Sequence, residues 1–242
     1  MNVIIENTWN DYGEADDIIQ YCEANNIKYQ ILPATQIVIL DNFFDNIFFC
    51  NTEIVLEKLK QVNFADLCPD TYDSTYNEFY HRLIEKINIS DIIITDSIFI
   101  KPVENNKLFN GHIVLSQLDV DSLAYADPKM MVYKSNVINI MAEYRLLMGN
   151  GKLYGHSYMK GCQIDNYLNK IDINKLIGLT GDKFRCIDVG FTDETSWLIV
   201  EINPMYSLDS YNIDIKDYME FCIDSCKFIN KCVRSRHDDT SQ

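Results

Sequence analysis

Two carboxylates and a carboxamide carry the clearest chemistry in this sequence. They lie in RCIDVGF-TDETS-WLIVEIN (185–203), two apolar runs flanking a polar turn. Side chains alternate faces along a strand, and cross-strand partners share a face. A turn centred between Glu194 and Thr195 therefore sets Asp188 opposite Glu201, with Asn203 two residues on and pointing the same way. Their neighbours Ile187, Val189, Leu198, Val200 and Ile202 are strongly apolar. Two like charges on such a half-buried sheet repel and are costly to desolvate. A divalent cation removes that cost, and the alternative is an accidental acidic face. Oxygen donors without Cys or His favour Mg²⁺, with the remaining positions left to water and phosphates. Gly190, on the face of Asp188, leaves room for a ligand to approach the backbone.

Two further hairpins present cations. IFIKPV (98–103) leads through ENNKLFNG (104–111) into HIVLSQLD (112–119), read as a second strand. Lys101 shares a face with Phe99, so it is either an edge lysine reaching water or a phosphate ligand. Lys107 and Asn110-Gly111 in the connecting loop supply a second cation and backbone amides suited to covering a triphosphate. The loop is not a Walker A sequence. Around Asn150-Gly151, a two-residue turn pairs Arg145 with His156 and Glu143 with Tyr158. That surface is either a salt-bridged sheet face or an arginine aimed at an anionic group.

The elements that must position these residues read as α/β. Strands are expected at Val3–Ile5, Tyr29–Leu32, Ile37–Leu40 and Ile47–Cys50. Helices are expected over Asp11–Asn25 and from Thr52, the latter presenting Leu56, Leu59 and Val62. A further helix from about Asp73 to Ile87 would stripe Tyr76, Phe79, Tyr80, Leu83 and Ile87 along one face. From Ser90 to Asn203 strands dominate. These divide the chain into an N-terminal α/β lobe (1–88), a β-rich core (89–215), and a C-terminal helix with a frayed tail (216–242).

Composition excludes several function classes. A net charge of −15 disfavours broad nucleic-acid binding, which depends on neutralising phosphates. No apolar run reaches membrane-spanning length. The start MNVIIENTWNDYGEADD lacks the basic n-region of a secretory signal, so a cytoplasmic protein with reduced thiols is expected. The eight cysteines form no C-x-x-C pair. Cys222 and Cys226 recur with Met219, Ile229 and Val233 at helical spacing, as small apolar residues would. The sequence does not specify an oligomeric state.

The ordered motifs F-I-K-P (99–102), K-L-F-N-G (107–111), V-Y-K-S-x-V (132–137), E-Y-R (143–145), I-D-V-G (187–190) and E-I-N-P (201–204) resemble the ATP-grasp superfamily. The likeness is greatest to compact members from phage, bacterial and giant-virus genomes, and covers roughly residues 90–212. Y-S-L-D-S-Y (206–211) resembles that subgroup's ending, with Asp209 where glycine is usual.

The resemblance implies an ATP-grasp fold holding Mg-ATP in a cleft between an α/β lobe and a β-rich lobe. It implies that Lys101 contacts the α/β-phosphates and that Lys107 belongs to a lid. Segment 131–135, with Val132 and Tyr133, would be an interlobe hinge reading adenine, and Ser135 would lie near the ribose. Asp188, Glu201 and Asn203 would hold one or two Mg²⁺, and Arg145 would stabilise the transferred phosphoryl group. The usual second, earlier lysine has only Lys86 and Arg82 as candidates, both in the expected 73–87 helix, and stays unassigned.

The implied activity is an ATP-dependent ligase joining a carboxylate to an amine or similar nucleophile through an acylphosphate. Kinase-like transfer, nucleic-acid end-joining and a non-catalytic nucleotide-binding module are the alternatives.

Overall fold

Strands and helices alternate through the N-terminal stretch, as the apolar periodicity predicts. In the computed structural model, which describes residues 1–9, 13–62, 67–103, 109–125 and 127–239, this stretch holds β1 (Val3–Glu6), α1 (Glu14–Ala24), β2 (Tyr29–Leu32), α2 (Ala34–Ile37), β3 (Ile47–Phe49) and α3 (Thr52–Gln61). The strands form a parallel sheet in the order β2-β1-β3. Its central strand is buried along its whole length, as a strand covered on both faces must be. The strand expected at Ile37–Leu40 is not formed. Pro33 is extended and caps the turn of α2, which buries Ile37 instead.

The rest of the chain builds two antiparallel four-stranded sheets. Its elements are β4 (Ile84–Asn88), β5 (Ile98–Pro102), β6 (His112–Val114), α4 (Gln117–Ala124), β7 (Met131–Asn136), β8 (Ala142–Gly149), β9 (Lys152–Gly161), α5 (Ile173–Thr180), β10 (Phe184–Phe191), β11 (Trp197–Asn203) and α6 (Ile215–Asp239). One sheet runs β4-β7-β5-β6 and the other β11-β10-β8-β9. This is the mixed α/β architecture expected. β4 ends at the boundary drawn near residue 88 but pairs with β7, so its hydrogen bonds place it in the second sheet.

Three local readings are corrected. The helix expected over 73–87 is a 3-10 helix at Ser74–Phe79, capped by the Asp73 side chain, followed by β4. His81 adopts a left-handed φ of 50° between them, which a continuing helix does not accommodate. Leu83 is consequently exposed, while Tyr76, Phe79 and Tyr80 are buried. The HIVLSQLD strand stops at Val114, because the Asp119 carboxylate accepts from the Leu115 and Ser116 amides and opens α4. Helix α6 runs through residues 235–239 of the tail expected to fray, and the rest of that tail, 240–242, lies outside the described residues.

The β11-β10-β8-β9 sheet packs apolar side chains on both faces. Tyr144, Leu146, Met148, Ile187, Val189 and Phe191 pack toward the 3-10 helix and α5. Leu147, Phe184 and Cys186 on the other face join a cluster shared with α6 and the N-terminal sheet. The helical stripe Met219, Cys222, Cys226, Ile229 and Val233 is buried in that cluster, and Cys22, Cys50, Cys68, Cys162, Cys186, Cys222 and Cys226 are free thiols. Among the described residues no helix is long and apolar enough to cross a membrane.

Candidate functional site

The acids of the β10–β11 hairpin meet as the alternation predicts. Asp188 pairs with Glu201 across β10 and β11, and Asn203 projects from the same face. The Asn203 amide ties them together, donating to Asp188 Oδ2 at 2.8 Å and to Glu201 Oε1 at 3.1 Å. Asp188 is 1% exposed.

The two carboxylates do not stand as an uncompensated pair, and this corrects the electrostatic picture read from the sequence. Arg145, on β8 directly across from Asp188, grips it with two prongs: Nε to Oδ1 and Nη2 to Oδ2, both at 2.9 Å. Its Nη1 donates to the Asp209 carbonyl at 3.0 Å, and Tyr211 stacks on the guanidinium with its ring centre 4.6 Å away. Glu201 is ion-paired to Lys101 from the other sheet.

Each acid thus has its own cation, and the charge balance differs between them. Burial pushes the Asp188 carboxyl above its ordinary value against the pull of Arg145. Burial opposes ionisation of Glu201 too, but Lys101 and Asn203 outweigh it and hold that carboxyl low. Burial likewise disfavours the Lys101 ammonium, yet Glu201 raises it above its usual value.

The second hairpin does not pair as the Asn150-Gly151 turn alone would set it. Irregularities between Leu147 and Met148 and between Glu143 and Tyr144 shift β9, so Arg145 faces Ser157 rather than His156, and Glu143 faces Lys160 rather than Tyr158. Each bulge adds one residue to β9 that the turn cannot foresee. Ser157 is buried, and its hydroxyl has no hydrogen-bond partner among the described residues. Glu143 is also buried and pairs with Lys160 at 2.9 Å; burial raises its carboxyl above the ordinary value despite that lysine.

Lys101, Glu143, Lys160 and Glu201 line a cavity of about 430 Å³ between the sheets, with Phe99 and Ile140 as apolar walls. A larger cavity of about 890 Å³ lies between α3 and the β4–β7 edge, and Asp188, Glu201 and Asn203 are not in it. It holds Lys86, which the sequence pattern assigns to a helix. Lys86 lies on β4 opposite Tyr133, and Tyr133 lies opposite Lys101, so the three form one row across the sheet. Lys86 and the Tyr133 hydroxyl both bind Asp70. Residues 84–88 (IEKIN) show no apolar–polar alternation, and the aromatic stripe before them suggests helical periodicity, so no local signal marks Lys86 as a strand residue.

The remaining assignments fall out unevenly. Ser135 lies opposite Phe99 and, like Lys101, on the cleft face. Val132 turns its side chain away into an apolar cluster with Ile100 and Val114. Segment 131–135, the expected hinge, forms most of β7, whose two edges are paired to β4 and β5; the chain crosses between the sheets over 137–141. Gly190 gives no access to a ligand, because Val200 and Ile140 side chains fill the space beside it. Arg82 binds backbone carbonyls of β11. Lys107 lies outside the described residues.

Chemically the cleft offers two carboxylates, one amide and two cations within hydrogen-bonding reach of one another. Among the described residues no group of three or more His, Cys, Asp or Glu side chains is arranged to hold a metal ion. The donor set of Asp188, Glu201 and Asn203 still fits Mg²⁺, which prefers oxygen and keeps several positions for water or phosphate.

Comparison with known proteins bears on this geometry. The fold is similar to that of a D-alanine–D-alanine ligase from Bacillus anthracis complexed with ATP, at a TM-score of 0.59 and 12% identity, covering 96% of this chain and 99% of that one. It is similar to D-cycloserine synthetase at a TM-score of 0.60 and 8% identity, covering 94% and 99%. An L-amino acid ligase from Bacillus licheniformis matches at a TM-score of 0.54 and 9% identity, covering 84% and 68%. At these identities the likeness shows the fold alone. A search of the curated proteins finds no match. The sequence profile of the ATP-grasp domain, R(2)K clade family 2, matches residues 79–221, more than half of the chain, and includes Lys86, Lys101, Arg145, Asp188, Glu201 and Asn203. The chain belongs to the ATP-grasp superfamily, in family 2 of that clade.

Proposed function

We propose that this protein is a Mg-ATP-dependent ligase that joins a carboxylate to an amine or similar nucleophile through an acylphosphate. The observation that carries the reading is the convergence of Lys101 from one sheet with Arg145, Asp188, Glu201 and Asn203 from the other, at one cleft. Family membership and the ligases among its structural neighbours support it.

In this reading Lys101 exchanges Glu201 for ATP phosphate oxygens, a charge-assisted contact of the same kind. Lys86, in the same row, supplies the second cation once it leaves Asp70. Asp188, Glu201 and Asn203 would hold Mg²⁺, which when bound neutralises phosphate charge. Arg145 has three donors committed to Asp188 and the Asp209 carbonyl, so its first task is to orient Asp188. Phe99 and Ile140 wall the nucleotide, and Ser135 lies near the ribose.

The substrate carboxylate attacks the γ-phosphorus and ADP leaves. The amine then attacks the acylphosphate carbonyl, phosphate leaves, and the nitrogen loses a proton. Such chemistry depends on positioning and charge neutralisation more than on a protein nucleophile.

The test is product analysis of ATP and Mg²⁺ incubated with the protein and panels of carboxylic acids and amines. ADP and phosphate, formed only when an acid and an amine are both present, support the ligase. AMP and pyrophosphate point to nucleotidyl transfer instead. A phosphorylated acceptor without joining points to a kinase, and binding without turnover points to a nucleotide-binding module.

A further inference from the structure

The hairpin that carries Asp188 and Glu201 changes register partway along. Near the turn Phe191 pairs with Trp197, Gly190 with Leu198 and Val189 with Ile199. Beyond Val200, Asp188 pairs with Glu201, Ile187 with Ile202 and Cys186 with Asn203. Had the first register continued, Asp188 would meet Val200 and Glu201 would meet Ile187. A slip of one residue turns every side chain to the other face. Glu201 and Asn203 would then lie with Ile187 in the apolar cluster beneath the sheet rather than in the cleft. The single extra residue, Val200, is what aims both groups at the site, a recognised use of bulges beside functional sites.

A bulge disrupts the ladder locally and leaves backbone groups in need of other partners. Here the donor is Arg82. Its Nη1 donates to the Ile199 carbonyl at 3.0 Å and its Nη2 to the Val200 carbonyl at 2.7 Å. Nη1 also reaches the Tyr80 carbonyl at 3.2 Å, and the guanidinium lies over the Tyr72 ring at 5.4 Å. The flat, forked guanidinium suits two adjacent carbonyls in a way an ammonium does not. On the sheet face, Val200 occupies space that only glycine leaves at position 190: a Cβ there would come within 2.9 Å of Val200 Cγ2 and 3.0 Å of Ile140 Cγ2.

We infer that Arg82 is a positioning residue: by clamping the bulge at Val200 it decides which face of β11 carries Glu201 and Asn203. Its effect on ligand binding rests on the metal reading above. Its effect on register does not. Arg82 acts through the β11 backbone, so its loss alters what Mg²⁺ contributes and leaves the Lys101 contact to phosphate largely in place.

The test uses the full chain with R82Q and R82K. Two readouts are taken: the backbone nuclear Overhauser contact between residues 188 and 201 in ligand-free protein, and calorimetric titration of ATP with Mg²⁺ and with chelator. R82Q is expected to lose the 188–201 contact. The factor by which Mg²⁺ tightens ATP binding should fall by roughly 10–100-fold, the usual loss when a group that orients a metal ligand is removed. Affinity for metal-free ATP should change far less. R82K, which keeps the charge but not the fork, should fall between R82Q and wild type on both readouts.

A folded R82Q protein that keeps the 188–201 contact and the full Mg²⁺ factor overturns the inference. So does an R82K protein indistinguishable from wild type on both, even if R82Q fails to fold. If wild-type protein shows no Mg²⁺ effect at all, the metal reading falls, and the 188–201 contact alone decides the role of Arg82.

Discussion

Arg145 and Asp188 form a two-pronged ion pair across neighbouring strands, buried almost completely and braced from the loop after β11 by the Asp209 carbonyl and the Tyr211 ring. The pair links the two halves of the site, because Asp188 also receives the Asn203 amide. Removing one partner of such a pair leaves the other charge buried without compensation. Asp188→Asn should therefore cost about 3–5 kcal/mol of stability. Urea denaturation of ligand-free protein checks this, and a loss below about 1 kcal/mol would show that Arg145 finds another partner.

Glu201 should behave differently. Its partner Lys101 keeps partial access to water, each side chain being 23% exposed. Glu201→Gln should cost only about 1 kcal/mol, near the upper end for accessible pairs. The same variant should lose most of the rise in melting temperature that Mg-ATP gives the wild type, since a ligand bound only by the folded state stabilises by mass action. A Glu201→Gln protein that keeps the whole Mg-ATP shift would place the metal elsewhere.

Lys101→Ala should weaken ATP binding by roughly 1.5–3 kcal/mol, the scale of a lost charge-assisted hydrogen bond. Lys86→Ala should weaken it as well, because Tyr133 links the two lysines in one cross-strand row. Calorimetry with the two single variants and the double variant separates their contributions. Unchanged affinity in Lys86→Ala would confine phosphate binding to the Lys101 side.

The pH dependence of stability should carry the signature of Glu143. Its carboxyl lies above the ordinary value of 4.5 because burial outweighs Lys160. A raised acid binds its proton more tightly in the folded chain than in the unfolded one. Stability from this group is therefore present below pH 4.5 and declines as pH rises from there through the folded value. Glu143→Gln removes that decline, so the variant should gain on wild type as pH rises through this window. Thermal melts across the acid range would show the opposite trend if Lys160 dominated.

Strand alternation made the acid site legible. Asp188, Glu201 and Asn203 share a face because period-two alternation is fixed by local backbone geometry, and the apolar residues between them mark the other face. The pairing of Asp188 with Glu201 also follows from the sequence, though through compensation. The observed turn pairs residues one step away from the expected register, and the bulge at Val200 restores it.

The tertiary structure alone decided what neutralises those acids. Lys101 and Glu201 are 100 residues apart and Arg145 and Asp188 are 43 apart, so no local pattern reports their contact. The bulge in β9 that redirects Arg145 from His156 to Ser157, and the placement of Lys86 in β4 rather than in a helix, were likewise hidden. Each depends on which remote surface a strand packs against and which donor meets its displaced carbonyls. Alternation fixes the direction of a side chain relative to its own backbone, whereas its partner is set by the packing of sheets that come together only in the folded chain.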